Sequence, residues 1–153
     1  KVYGDPALLM PRFYMPKVIK KYRVGLVAHY AEKNDDSVQY LSDLGVKLVD
    51  IQLPVEEFLD KLCECETIIS SSLHGLIAAD AYGIPSRWLM LSNKLVGGEF
   101  KFQDYYRSIG EFDQTPTTLS EIMAIDSLAT LEESASKKEI NLDLDKLVAA
   151  FPN

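Results

Sequence analysis

The chain is poor in the residues that staple, coordinate or span. Of its 153 residues only two are cysteine, two are histidine and one is tryptophan. Cys63 and Cys65 sit two positions apart in Cys63-Glu64-Cys65, so a bond between them would close almost no loop, and no second metal-ligand pair accompanies them. The expectation is two reduced thiols of a cytoplasmic protein, with Cys63 in the core and no metal site. Cations are also scarce: 16 Lys and Arg face 23 Asp and Glu, for a formal net charge of -7. Nucleic acid is bound by clustered cations and is therefore not expected as a partner, whereas a small anion remains open because local charge can differ from the total. No run of about 18 apolar residues appears, so no transmembrane segment is expected. No signal-peptide pattern appears either. An initiating Met is missing too, and the opening Lys1-Val2-Tyr3-Gly4-Asp5-Pro6 reads as the middle of a larger protein.

What is present is the composition of a globular protein, 47% hydrophobic and 25% charged, at a length that suits one domain over 1–153. Gly4-Asp5-Pro6 predicts a turn into a short helix at Ala7–Met10, broken by Pro11 and Pro16. Lys17, Lys20, Lys21 and Arg23 form the basic cluster, read as a solvated face or, more sharply, as a contact with a missing domain or an acidic membrane. Val24–Ala28 is a continuous apolar run, the pattern of a strand buried on both faces. After it, Asn34-Asp35-Asp36 caps a helix carrying Val38, Leu41 and Leu44, which Gly45 ends. A strand at Lys47–Gln52 follows. Then Val55, Phe58, Leu59, Leu62 and Cys63 mark one helical stripe. Thr67-Ile68-Ile69 predicts a third strand, the stretch to Gly83-Ile84-Pro85 its helix, and Arg87–Leu91 a fourth strand. Ser92 to Glu99, with Asn93 and Gly97-Gly98, reads as a loop before a helix opening at Phe100. The tail, 111–153, reads as helical: Thr118 and Glu121 form a capping box, and Leu144, Leu147, Val148 and Phe151 line one face. Glu132 to Glu139 reads as loose. Alternation of this kind predicts an α/β, Rossmann-like three-layer domain with a parallel sheet and right-handed crossovers.

The chemistry concentrates at Ser70-Ser71-Ser72-Leu73-His74-Gly75. There an apolar strand stops and a small-residue helix begins. In open α/β sheets ligands bind outside the carboxyl ends of the strands. The first N–H groups of the helix lack partners and carry partial positive charge, which suits phosphate or carboxylate. Ser70, Ser71 and Ser72 can add hydroxyls, and Gly75 allows close backbone approach; capping of the helix is the plainer reading of the serines. His29 follows the first strand as His74 follows the third, so if those strands are neighbours both imidazoles face one crevice. The plainer reading of each is a structural histidine with a satisfied hydrogen bond. Asp80, six residues after His74, falls on another side of the helix and is not expected to orient it. Lys101, Asp104, Tyr105 and Arg107 follow the fourth strand, with the cations either neutralising phosphate or merely solvating a helix.

Residues 70–85, Ser-Ser-Ser-Leu-His-Gly-Leu-Ile-Ala-Ala-Asp-Ala-Tyr-Gly-Ile-Pro, with 100–110, Phe-Lys-Phe-Gln-Asp-Tyr-Tyr-Arg-Ser-Ile-Gly, resemble the polysaccharide pyruvyl transferase family. Tyr3–Leu9 and Val24–Tyr30 agree more weakly. The resemblance implies the C-terminal half of a two-domain, GT-B-like enzyme whose active site lies between the halves. It implies transfer of the enolpyruvyl unit of phosphoenolpyruvate, with no separate cofactor, onto two hydroxyls of a sugar or lipid-linked oligosaccharide, giving a pyruvate ketal on a cell-surface polysaccharide precursor. His74 would be the acid–base residue, and a cytoplasmic location, including the inner face of the membrane, would follow. Many members carry Arg directly before Leu-His-Gly; here Ser72 stands there, so the anion clamp is expected from Lys101, Arg107 or the missing N-terminal domain. The alternative of the same architecture is a nucleotide-sugar glycosyltransferase or epimerase, but its usual ribose-binding Glu is replaced by Ala78. A non-catalytic interaction domain is favoured only if both histidines are buried and hydrogen-bonded.

Overall fold

The apolar runs become a four-stranded, wholly parallel sheet in the computed structural model, which describes residues 4–92 and 98–150. A 3-10 turn at Pro6–Leu9 leads into α1 (Met10–Phe13) and then β1 (Tyr22–Val27). A second 3-10 turn, Tyr30–Glu32, precedes α2 (Asp36–Asp43), β2 (Lys47–Leu48) and α3 (Val55–Cys63). β3 (Cys65–Ser70), α4 (Leu73–Ala81) and β4 (Ser86–Trp88) complete the alternation. The helices α5 (Gly98–Ser108), α6 (Leu119–Met123), α7 (Leu128–Ser134) and α8 (Leu144–Ala149) follow.

The strand order is β2-β1-β3-β4. β1 and β3 are neighbours at the centre, in register from Tyr22↔Cys65 to Val27↔Ser70. Their contiguous apolar residues are needed because both faces are covered. Val24, Leu26 and Ile69 meet Val38 and Leu41 of α2, Ile122 of α6 and Leu131 of α7 on one side. Val27 and Ile68 meet Phe58, Leu59 and Leu62 of α3 and Ala78 and Ala79 of α4 on the other. Each fully buried Leu, Ile or Phe of this kind contributes roughly 1.5–3 kcal/mol. A third cluster joins Leu8, Leu76 and Ile77 to Trp88, Phe102, Tyr105 and Tyr106, which seats α5 beyond β4.

Several details differ from expectation. Cys65, not Cys63, is the core thiol: it is 0% exposed at the start of β3, whereas Cys63 is half-buried at the end of α3. The two thiols straddle a helix-to-strand junction, and both are free. A Cβ on Gly25 would lie 2.5 Å from the Cys65 sulfur, so the glycine makes room for it. Burial pushes the Cys65 thiol up to about 11, which keeps it protonated at neutral pH. Pro11 does not break the chain but lies in the first turn of α1, where its missing N–H costs nothing. β2 is only two residues long; Val49 still donates to Leu26 O at 2.9 Å before Asp50 turns the chain. α5 begins at Gly98, two residues before the expected Phe100.

The segment expected to be loose is fastened instead. Glu132 to Ser134 belong to α7, and Ser136 exchanges two backbone hydrogen bonds with Ser86, at 2.9 and 3.1 Å. Thr117 bonds both Trp88 O and Met90 N at 2.9 Å. The tail thus covers the open edge of β4, a position that would otherwise present unpaired backbone groups. Among the other sequence expectations, the capping box of Thr118 and Glu121 is present, and Leu147 is buried while Val148 is exposed. Lys1–Tyr3, Asn93, Gly97 and Phe151 lie outside the described residues.

Candidate functional site

The turn between β3 and α4 is built by its own serines. Ser70 Oγ is fully buried, 2.8 Å from Val27 O and 2.7 Å from Ser72 O, and it accepts the Ser72 N–H at 3.0 Å. That hydroxyl is spent inside the protein, tying the end of β1 to the turn. Ser71 points elsewhere: its Oγ accepts the His29 N–H at 3.0 Å, which joins the loop after β1 to the loop after β3. Its own O–H proton stays available to a further acceptor. Ser72 occupies the cap position of α4 but makes no side-chain capping bond. The first turn of α4 therefore keeps its orphan N–H groups and its positive dipole end.

Gly75 is a packing glycine. A Cβ there would lie 2.5 Å from Ser70 Oγ and 2.7 Å from Val27 Cβ, so only glycine lets α4 settle against β1. The close approach is to the protein's own strand, where the sequence reading expects approach to a ligand. Its neighbour His74 is exposed in the same first turn. His29 is half-buried at the end of β1, with Nδ1 accepting the Ala31 N–H at 3.1 Å and its ring 4.4 Å from that of Tyr30. A neutral imidazole with that bond carries its proton on Nε2. The condition for a purely structural pair, both histidines buried, is not met.

Lys101, Asp104, Tyr105 and Arg107 come together on α5. With Asp5 and Leu73 they line a cleft of about 590 Å³. Leu73 is the residue beside His74, so the cleft adjoins the turn. Lys101, Asp104 and Arg107 are exposed, but Tyr105 is buried and donates its hydroxyl to Asp80 Oδ2 at 2.7 Å. A smaller cavity of about 180 Å³ opens at the carboxyl ends of β3 and β4, lined by Ser71, Glu32, Trp88 and Phe102 among others. Neither His29 nor His74 lines these two spaces. The candidates thus divide between the α5 cleft, the Ser71 cavity and the exposed His74.

Sequence reasoning missed a buried polar network behind the cleft. Asp80 is 2% exposed and accepts from Tyr105 and, at 2.9 Å, from Ser86 Oγ. Lys138 Nζ bonds Ser86 O at 3.0 Å and Ser136 O at 2.8 Å. Burial pushes the Asp80 carboxyl up to about 6, only partly opposed by its hydrogen bonds and by Lys138. Burial likewise holds the Lys138 ammonium below its ordinary value. The available signal was a single carboxylate inside the apolar helix Leu76-Ile77-Ala78-Ala79-Asp80-Ala81. Glu32, also missed, has no such signal in its polar loop. Among the described residues no cluster of three or more His, Cys, Asp or Glu could hold a metal, and no helix is long and apolar enough to cross a membrane.

Comparison with known proteins now settles the family. The sequence profile described as polysaccharide pyruvyl transferase matches residues 1–93, a stretch that contains β1 to β4 and the Ser-Leu-His-Gly turn. The chain belongs to the polysaccharide pyruvyl transferase family. An uncharacterised protein of Acanthamoeba polyphaga mimivirus is 32% identical over 120 residues, which cover 72% of this chain and 41% of that protein. The succinoglycan biosynthesis protein ExoV of Rhizobium meliloti (strain 1021) is 26% identical over 110 residues, 69% of this chain and 34% of ExoV. The chain therefore spans less than half the length of these two relatives. No solved structure matches it.

Proposed function

We propose that the protein transfers a pyruvyl group from phosphoenolpyruvate to two hydroxyls of a sugar, forming a cyclic ketal on a polysaccharide precursor. The observation that carries this reading is the exposed His74 in the uncapped first turn of α4, within the stretch that matches the family. In the reaction, a proton goes to the methylene carbon of phosphoenolpyruvate and one sugar hydroxyl, giving up its own proton, bonds to the adjacent carbon. Phosphate then leaves with its bonding electrons, and the second hydroxyl closes the ring as its proton departs. An imidazole suits that traffic because it gains and loses protons near neutral pH. The orphan N–H groups of α4 favour the anionic donor. Lys101 and Arg107 offer further positive charge in the adjoining cleft. Ser70 and Gly75 position this turn, and Tyr105 holds Asp80, rather than meeting a ligand.

The rest of the scheme follows the family resemblance: a GT-B-like pair of Rossmann-like halves, with this chain as the second, a cytoplasmic site, and an acceptor that is a sugar or a lipid-linked oligosaccharide. Phosphoenolpyruvate is the donor, and the reaction needs no other cofactor. A nucleotide-sugar reaction is disfavoured because Ala78, at the place of the usual ribose-binding carboxylate, is buried against the α3 side of the sheet.

The test uses the full-length enzyme. His74→Ala should lower ketal formation by roughly 10²–10⁴-fold while leaving the melting temperature unchanged, because His74 is exposed. Near-normal turnover in the folded variant would refute the acid–base role. Phosphoenolpyruvate, and not a uridine diphosphate sugar, should protect against thermal unfolding; the reverse ranking would point to the glycosyltransferase chemistry.

A further inference from the structure

We propose that the cavity at the carboxyl ends of β3 and β4 is a subsite for one neutral pyranose ring, with Glu32 accepting a ring hydroxyl and Ser71 donating to one. Glu32 lies in the 3-10 turn after β1 and is 1% exposed. Its Oε2 takes the hydroxyl of Ser92, while Oε1 is buried with no hydrogen-bond partner. Buried polar oxygens are nearly always bonded, so an orphan at a cavity wall points to a donor from outside. Ser71 lines the same cavity, and because its Oγ accepts from His29 its proton remains to be given. One acceptor and one donor on the wall of the same cavity match sugar hydroxyls, each of which can donate and accept.

The remaining walls fit the same ligand. Trp88 and Phe102, whose rings stack on each other with centroids 4.7 Å apart, form an apolar part of the wall against which the C–H groups of a sugar ring can pack. The space of about 180 Å³ is that of a single ring rather than a nucleotide. Among the described residues its charged lining is acidic, Glu32 and Glu99, with no Lys or Arg. Those acidic walls favour a neutral ligand over phosphoenolpyruvate, which is placed instead beside Lys101 and Arg107 of the α5 cleft. The pyruvyl-transfer reading enters only in naming the ring as an acceptor.

Trp88 supplies the reporter. In ¹⁵N-labelled full-length protein its indole resonance is the one missing from Trp88→Phe. Methyl gluco-, galacto- and mannopyranosides, methylammonium and inorganic phosphate are titrated separately. At least one pyranoside should shift the resonance saturably, and Glu32→Gln and Ser71→Ala should each weaken that binding by about tenfold or more. Phosphate should leave it unmoved. In turnover, Glu32→Gln should raise the KM for acceptor without changing that for phosphoenolpyruvate. A silent resonance with every pyranoside, a response to methylammonium alone, or undiminished binding in both folded variants would overturn the subsite. If Glu32→Gln fails to fold, the wild-type titration and Ser71→Ala still decide. Sugar binding that persists in an enzyme inactive with phosphoenolpyruvate would sustain the subsite and count against pyruvyl transfer instead.

Discussion

Asp80→Asn should reveal how much stability the buried carboxylate costs at neutral pH. The Asp80 carboxyl is raised from 3.8 to about 6, first by burial, with the Tyr105 and Ser86 hydroxyls and Lys138 pulling the other way and Glu111 adding to the rise. A raised folded value means that the native state holds a proton which the unfolded chain has released. The associated stability is present below about pH 4 and is lost as pH rises through about 6. The rise from 3.8 to about 6 corresponds to about 3 kcal/mol, and about half of that falls between pH 5 and 8. Asparagine does not titrate. Its oxygen can still accept from Ser86, and its amide can donate to the Tyr105 oxygen once that hydroxyl turns. It also removes the counter-charge of Lys138, so the absolute change at one pH mixes gains and losses.

The difference across pH isolates the carboxylate. Urea unfolding of both proteins at intervals from pH 5 to 8 gives two stability curves. Charges common to both, Lys138, Glu111 and Arg87 among those near the network, cancel to first order in the comparison. Wild type should lose about 1.5 kcal/mol relative to Asp80→Asn over that range. A flat difference, or one of opposite slope, would show that Asp80 is not held protonated by burial.

Two further changes probe the frame of the site. Gly75→Ala forces a methyl to within 2.5 Å of Ser70 Oγ and 2.7 Å of Val27 Cβ, so α4 must lift from β1; a loss of roughly 1–3 kcal/mol in chemical denaturation is expected, and an unchanged midpoint would deny the close packing. Lys138→Met removes the donor that bonds Ser86 O and Ser136 O. It should cost roughly 1.5–3 kcal/mol and speed amide exchange at Ser86 and Ser136, whereas unaltered exchange there would mean the tail is held by other contacts.

The layered α/β core was legible because each element carried its own period. Val24–Val27 and Ile68-Ile69 form contiguous apolar stretches buried on both faces, and Phe58, Leu59 and Leu62 form a stripe buried on one. That β1 and β3 are neighbours was only a condition in the sequence reading, and the register meets it. Within the helical tail, Glu132 to Glu139 was misread as loose, and for the converse reason. Ser134–Glu139 has no apolar period, since its attachment is made by backbone pairing at Ser136 and by one buried ammonium at Lys138. Polar composition marks solvent exposure on average, and it fails where a polar strand edge supplies partners.

The Ser70–Gly75 turn shows where residue type stops being informative about direction. Three consecutive hydroxyls at a strand's end read as donors to one anion or, more plainly, as caps of the helix. Successive side chains leaving a strand point to opposite sides, so Ser70 and Ser71 could not have shared a target. Ser70 turned inward to Val27 and Ser72, and Ser71 turned to the loop after β1. Gly75 then had to lose its side chain to admit the Ser70 hydroxyl beneath α4. The inward pair fixes the turn and leaves His74 exposed beyond the carboxyl end of β3 while Ser71 meets the Glu32 cavity. Removing the Ser70 hydroxyl should therefore damage stability more than chemistry, and removing that of Ser71 the reverse.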